Sequence, residues 1–379
     1  MGNPNGKLED LISCISSVDT VWLEKAGERT AQLVMPTRAL GRLHQIAERI
    51  CAIQQTLEPD VEEKAVLIMA GDHGVVAEGI SAYPQIITGE MVKTFLRAGA
   101  GINAICRYGN IQVRVVDMGI IPELDPRAME NGQNLWVHKI KRGTENLARG
   151  PAMSRHEAKE SILTGFHLAS RLFQEDVQLL GTGEMGIGNT TPSAAIGAVI
   201  TGRDLDIMVG RGTGLDDEGL RKKRAAIRRG IEKNRPDPRD GIDVLSKLGG
   251  FEIGGIAGCI LAGAYHRRPV VIDGFISTAG ALIAHTLCPK VTDYIFAGHL
   301  SEEAGHGAML EHLGSKPILD LGMRLGEGTG GALAMGIMVC TPGIKAMIRD
   351  DKTHQIYGLM QAGQKHGMVT MNQSLYQAV

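Results

Sequence analysis

The sequence predicts an α/β protein: a three-layer α/β/α arrangement around a mostly parallel, Rossmann-like sheet, plus a small helical domain built from the two chain ends. Three observations predict it. The run 65–70 (Ala-Val-Leu-Ile-Met-Ala) is unbroken and apolar, as a strand covered on both faces requires. Such runs end in polar or glycine-rich turns, the first being Gly71-Asp72-His73-Gly74. Helical periodicity returns between them, so β-loop-α units repeat and imply parallel pairing.

Taken in order, residues 8–57 place apolar side chains at helical spacing, with Leu8, Leu11, Ile12 and Ile15 followed by Leu40, Leu43, Ile46, Ala47 and Ile50. After the strand at 65–70, a helix around 90–106 precedes a strand at 113–117. Ser154-Arg155-His156-Glu157 has the form of a capping box and opens the next helix. The β-like run 177–180 enters a glycine loop, and Asn189-Thr190-Thr191 before Pro192 reads as an N-cap and first helical turn. The run 206–209 reads as another strand, entering a second glycine loop at 210–214. Asp216 or Asp217 can cap the basic helix that follows, to about Asn234. Further strands are expected at 269–273, 293–297 and 317–321, with Ser301 as a candidate N-cap of a helix over 301–313. No strand signal remains after about 343. The expected division is therefore a large α/β catalytic domain over 64–343 and a small helical domain from 1–63 with 344–379.

Composition narrows the function. A net charge of −2 over 379 residues gives no electrostatic case for nucleic acid or an anionic membrane as the main partner. Fifty glycines without a period, separated by strong apolar runs, argue for tight loops and close helix packing rather than for collagen or a linker. The six cysteines (Cys14, Cys51, Cys106, Cys259, Cys288 and Cys340) form no Cys-x-x-Cys pair, which suits reduced thiols and offers no zinc site. The N-terminus lacks the apolar core of a signal peptide, and Pro342, Gly343 and Lys345 interrupt the apolar run of 332–347. A cytoplasmic protein is expected.

The chemistry concentrates in 181–193. Strand, glycine loop and helix N-terminus form an anion site, usually for phosphate. The spacing Gly181-x-Gly183-x-x-Gly186, with Asp204 or Asp206 about twenty residues on, also matches a dinucleotide fingerprint and a nicotinamide-dependent oxidoreductase. In a dinucleotide site the helix opens within the glycines, whereas 189–192 delays it here. A phosphate cradle gains nothing from Glu184, and a third glycine loop, 326–331, again encloses one carboxylate, Glu327. Two such carboxylates beside phosphate-type loops suggest proton abstraction, or stabilisation of positive charge, next to a phosphorylated substrate.

Several motifs occur in one order: Ala70-Gly71-Asp72-His73-Gly74-Val75, Ala82-Tyr83-Pro84-Gln85, the stretch from Gly181 to Pro192, Gly210-Arg211-Gly212-Thr213-Gly214-Leu215-Asp216-Asp217, Asp273-Gly274-Phe275 and Arg324-Leu325-Gly326-Glu327-Gly328-Thr329-Gly330. Together, over about residues 30 to 350, they resemble the nicotinate-nucleotide–dimethylbenzimidazole phosphoribosyltransferase family of cobalamin lower-ligand synthesis. The resemblance implies transfer of the 5-phosphoribosyl group from nicotinate mononucleotide to 5,6-dimethylbenzimidazole, giving α-ribazole 5′-phosphate and nicotinate. It implies Glu327 as the general base and Glu184 as its support near the ribose. Gly183, Gly186, Lys223 and Ser301 would hold phosphate and ribose, while Tyr83 and Leu325 would cover the base. Glu90 stands where relatives carry Gln before Met-Val, which opens the choice among benzimidazole, purine and phenolic acceptors. No metal or cofactor is expected, so His73, His299 and His306 are assigned structural hydrogen bonds. A homodimer is implied by the same resemblance. A non-catalytic relative that had lost its base is disfavoured by the intact Glu184 and Glu327.

Overall fold

A computed structural model of the chain describes residues 7–346, apart from 34, 37 and 213. Of the second part of the expected helical domain (344–379), residues 347–379 lie outside the described residues, as do 1–6 and Thr213 of the second glycine loop.

The larger of two compact units comprises 7–18 and 60–337. Its six-stranded sheet contains β1 (Lys64–Gly71), β2 (Ile111–Gly119), β3 (Leu135–Val137), β4 (Leu179–Met185), β5 (Val270–Ile272) and β6 (Ile295–Ala297). Their order is β3-β2-β1-β4-β5-β6, and every pairing is parallel. All eight residues of β1 are buried, as the unbroken apolar run requires. The order reverses between β1 and β4, and such a switch point opens a crevice at the carboxyl ends of the strands. Two further strands, β7 (His299–Ser301) and β8 (Leu319–Met323), form a separate parallel pair.

Helices flank the sheet. The capping box forms: the Glu157 N–H donates to Ser154 Oγ at 3.2 Å and the Ser154 N–H to Glu157 Oε2 at 2.7 Å. Helix Arg155–Gln174 crosses helix Phe251–His266 at glycines. A Cβ on Gly165 would collide with the Gly255 carbonyl, and one on Gly258 with that of Ile162, so this crossing uses the missing side chains. Asp216 caps helix Asp217–Asn234 by accepting from the Gly219 N–H at 2.8 Å.

The smaller unit comprises, among the described residues, those of 19–59 and 338–346. In it Asp19 caps helix Thr20–Ala31, and Leu33 is buried with Met35 and Leu43 against it. No helix among the described residues is long and apolar enough to cross a membrane.

Four local expectations need correction. The run 206–209 is not a strand: Asp204 accepts from the Asp206 N–H at 2.7 Å and opens the short helix Leu205–Met208. The helix expected around 90–106 is two, Ile87–Leu96 and Gly101–Gly109, separated by a turn with Ala98 in the left-handed region. Ser301 lies in β7, and the helix after it begins five residues later, as His306–His312. Residues 181–185 are not a loop but the end of β4.

Candidate active site

The glycines of β4 admit another segment of backbone. A Cβ on Gly183 would lie 2.5 Å from the Glu327 carbonyl oxygen, so the 326–328 turn rests directly on the strand. This places Glu184, buried at the carboxyl end of β4, beside Glu327. The Glu327 N–H donates to Glu184 Oε1 at 3.4 Å, and Asn189 Nδ2 donates to Oε2. Asn189 was expected to cap a helix. Helix Thr190–Thr201 instead starts without a side-chain cap, because the Asn189 amide is directed at Glu184.

The turn itself is unusual. Gly326, Glu327 and Gly328 all have positive φ, at 82°, 63° and 95°. Glycines accept this freely, whereas a residue with a Cβ pays about 1–2 kcal/mol. The surroundings hold it. Asp273, the residue after β5, accepts from the Gly328 N–H at 3.1 Å with Oδ2 and from the Gly331 N–H at 2.9 Å with Oδ1. Glu327 Oε2 accepts from the Ile102 N–H at 3.2 Å, in the first turn of helix Gly101–Gly109. His299 Nδ1 stands 3.6 Å from Asp273 Oδ1.

Three buried carboxyl groups thus share one small volume, and their acidities respond. Burial, then the charge of Asp273, pushes Glu184 up to about 8, against the opposing hydrogen bond from Asn189. Burial also raises Glu327, with the Ile102 N–H opposing and Asp273 adding to the rise. Asp273 is raised by burial, while His299 and the glycine amides favour its ionised form.

A cavity of about 420 Å³ opens over this cluster, within the range that small-molecule sites occupy. Of the residues singled out in the sequence, Glu184, Glu327, Gly186, Ser301, Tyr83 and Leu325 line it. Tyr83 and Leu325 are more than half exposed, at 54% and 59%, so they form an open apolar mouth rather than core. Gly183 and Lys223 stand behind the lining. The Lys223 ammonium donates to Thr190 Oγ1 at 2.8 Å and to the Gly210 carbonyl at 3.1 Å. Burial holds it down to about 8, with Glu303 acting the other way. Glu90 is outside the lining: it is exposed and pairs with Lys93 at 2.7 Å.

Of the three histidines, His306 makes the expected side-chain hydrogen bonds, whereas His73 and His299 stand against the carboxyl groups of Glu252 and Asp273. His306 Nδ1 accepts from the Ser301 N–H at 2.8 Å, and burial with His299 nearby lowers its pKa to about 3. The ring is therefore neutral with its proton on Nε2, which faces Thr278 Oγ1 at 2.9 Å. His73 sits 2.9 Å from Glu252 beneath the site; burial disfavours its charge, and Glu252 outweighs that. The sequence marks Asp273 only as part of a motif and Asn189 and Thr190 only as a helix start, without a role in the site. Asp273 carries the same signal as Asp72, an acidic residue just past an apolar strand run, and can be found by it.

Comparison with known proteins agrees across the chain. A family model described as phosphoribosyltransferase matches residues 15–348. The nicotinate-nucleotide–dimethylbenzimidazole phosphoribosyltransferase of Geotalea uraniireducens is 51% identical over 331 residues, covering 87% of this chain and 93% of its own. That of Desulforudis audaxviator is 46% identical over 355 residues, covering 94% and 98%. The crystal structure of CobT from Thermus thermophilus superposes with a TM-score of 0.82 at 44% identity, covering 86% of this chain and 96% of that one.

Proposed function

The chain belongs to the nicotinate-nucleotide–dimethylbenzimidazole phosphoribosyltransferase family, and from that premise we propose that it moves the 5-phosphoribosyl group of nicotinate mononucleotide onto 5,6-dimethylbenzimidazole, in cobalamin lower-ligand synthesis. The observation that carries this reading is the convergence of Glu327 and Glu184 on one cavity at the switch point of the sheet. The bond from C1′ to the pyridinium nitrogen breaks, and nicotinate leaves with the electron pair, needing no proton. The bond from the benzimidazole nitrogen to C1′ forms on the opposite face, which inverts the β-nucleotide to the α-nucleotide. The incoming nitrogen must lose its proton, and Glu327 is the base that takes it.

Glu184 supports this step without carrying a full charge, because its raised pKa leaves it largely protonated at neutral pH. It orients the Glu327 backbone and offers a hydrogen bond to the ribose. Gly186 and Ser301 meet the phosphate from the lining, and Lys223 acts through Thr190 and beside Gly212. Gly183 serves by admitting the Glu327 turn. Tyr83 and Leu325, with Ile87 and Met91, form the apolar walls for a flat base. Glu90 is adjacent to Met91 in sequence, and its pairing with Lys93 supports at most an indirect influence on acceptor choice. The enzyme works in the cytoplasm as a homodimer, a reading supported by its scattered free cysteines and by exposed apolar side chains such as Ile86 and Leu321. Light scattering on the eluted peak gives the subunit number directly.

The reaction is tested by following nicotinate release from nicotinate mononucleotide with dimethylbenzimidazole, adenine or p-cresol as acceptor. Release that requires dimethylbenzimidazole is the expected result. Release that is faster with adenine or p-cresol would reassign the acceptor to a purine or a phenol, and no release with any of them would remove the transferase reading.

A further inference from the structure

We infer that Asp273 is a positioning residue for the reaction: its carboxylate clamps the backbone on the carboxyl side of Glu327 and so fixes the base over the cavity. The inference rests on Glu327 being the base, as proposed above. Thr329 closes the turn on itself, donating to the Gly326 carbonyl from its N–H at 3.1 Å and its hydroxyl at 2.8 Å, and three further hydrogen bonds tie it to its surroundings through Asp273 and Glu184. Two end on Asp273, from Gly328 and Gly331, and the third runs from the Glu327 N–H to Glu184. The backbone needs such restraint because Glu327 adopts a left-handed conformation that its Cβ disfavours. Asp273 accepts one N–H with each oxygen, so replacing one oxygen by an NH₂ group takes away the acceptor that one of the two glycine N–H groups uses.

Asp273 also sets the field at the base. The titratable groups around Glu327 are Glu184 from β4, Asp273 from the end of β5 and His299 from β7, with Glu252 and His73 reaching Glu184 from beneath and Arg324 and Glu303 lining the same cavity. Helix Gly101–Gly109 contributes the Ile102 N–H. A negative Asp273 makes Glu327 a stronger base, since like charge disfavours the ionised form of its neighbour. Removing that charge while keeping the side-chain shape therefore has two separable effects. The base loses its position, and it becomes more acidic.

The test is Asp273→Asn in the full chain, with nicotinate release followed over a pH series under saturating dimethylbenzimidazole. Wild-type release is established first, so that failure of the transferase reading is distinguished from failure of this one. The expected result is a fall in kcat of about 10²-fold, the scale of a misplaced catalytic group. KM for nicotinate mononucleotide stays within about threefold, and the acid limb of kcat moves to lower pH. A kcat within threefold of wild type would overturn the inference, and so would a loss of kcat with the acid limb unmoved. Should Asp273→Asn fail to fold by near-ultraviolet circular dichroism, Asp273→Ser is read by the same criteria. Two unfolded variants would make Asp273 a folding residue and overturn its positioning role.

Discussion

At the scale of single residues, Glu184 and Glu327 are chemically alike and placed differently, and the difference is measurable. Glu327→Gln keeps the shape and the Ile102 contact while removing the base, so kcat should fall by about 10² to 10⁴ with KM for nicotinate mononucleotide little changed. Near-normal turnover would take Glu327 out of that role. Glu184 is expected to behave as a buried acid whose proton matters to stability. Its folded pKa of about 8 lies above the ordinary value near 4.3 that it has when unfolded. Between those values the folded state holds a proton that the unfolded state has released, so folding stability declines as pH rises through this window. Below it, Glu184 costs nothing. Glu184→Gln removes the dependence, so its Tm relative to wild type should rise between about pH 5 and about pH 9. A Tm difference that is flat over that range would show Glu184 ionising at an ordinary value.

At the scale of elements, the 326–328 turn is stacked on β4, and Gly183→Ala tests that contact. The added Cβ meets a backbone carbonyl 2.5 Å away, which cannot rotate aside as a side-chain tip would. Overpacking of this kind costs about 1–3 kcal/mol, so the protein should remain folded with a lowered Tm. The turn moves with the carbonyl, and kcat should fall by about 10²-fold. A variant of normal activity would show that the turn has room to shift without consequence. The same contact explains what could be read from the sequence and what could not. β1 is legible because a doubly covered parallel strand must be apolar throughout, a local property. The end of β4 was read as a loop because glycine usually marks one; here it marks a second backbone, 143 residues away in the chain, which no local pattern records. The run 206–209 failed for the opposite reason. Four residues satisfy either period, and the Asp204 cap decided it.

At the scale of the whole molecule, the cavity gathers residues from Tyr83 to Glu327 at the one reversal of strand order. That ligands lie at strand ends follows from the alternation of strands and helices, and the sequence revealed the strand ends carrying Asp72, Glu184 and Asp273. Which of those ends meet depends on the order β3-β2-β1-β4-β5-β6, so Asp273 stands in the sequence only as part of a motif, while a carboxylate enclosed by glycines marks Glu327 locally. A ligand joining so many segments should stabilise the fold as a whole. Nicotinate mononucleotide at a hundred times its Kd adds about 2.7 kcal/mol, a rise in Tm of about 3–6 °C for a chain of this size. Glu327→Gln should keep this rise, because the base acts on the acceptor rather than on the donor. Lys223→Ala should lose most of it, because the buried ammonium behind Thr190 faces the place where the phosphate is expected. The pH dependence separates this from simple damage. Lys223 is held down to about 8 in the free protein, and a phosphate dianion nearby favours its charged form, so donor binding takes up a proton above that pH. The stabilisation by donor should therefore shrink between about pH 7 and about pH 9 in the wild type and stay flat in Lys223→Ala. A wild-type shift that does not change with pH would place the phosphate away from Lys223.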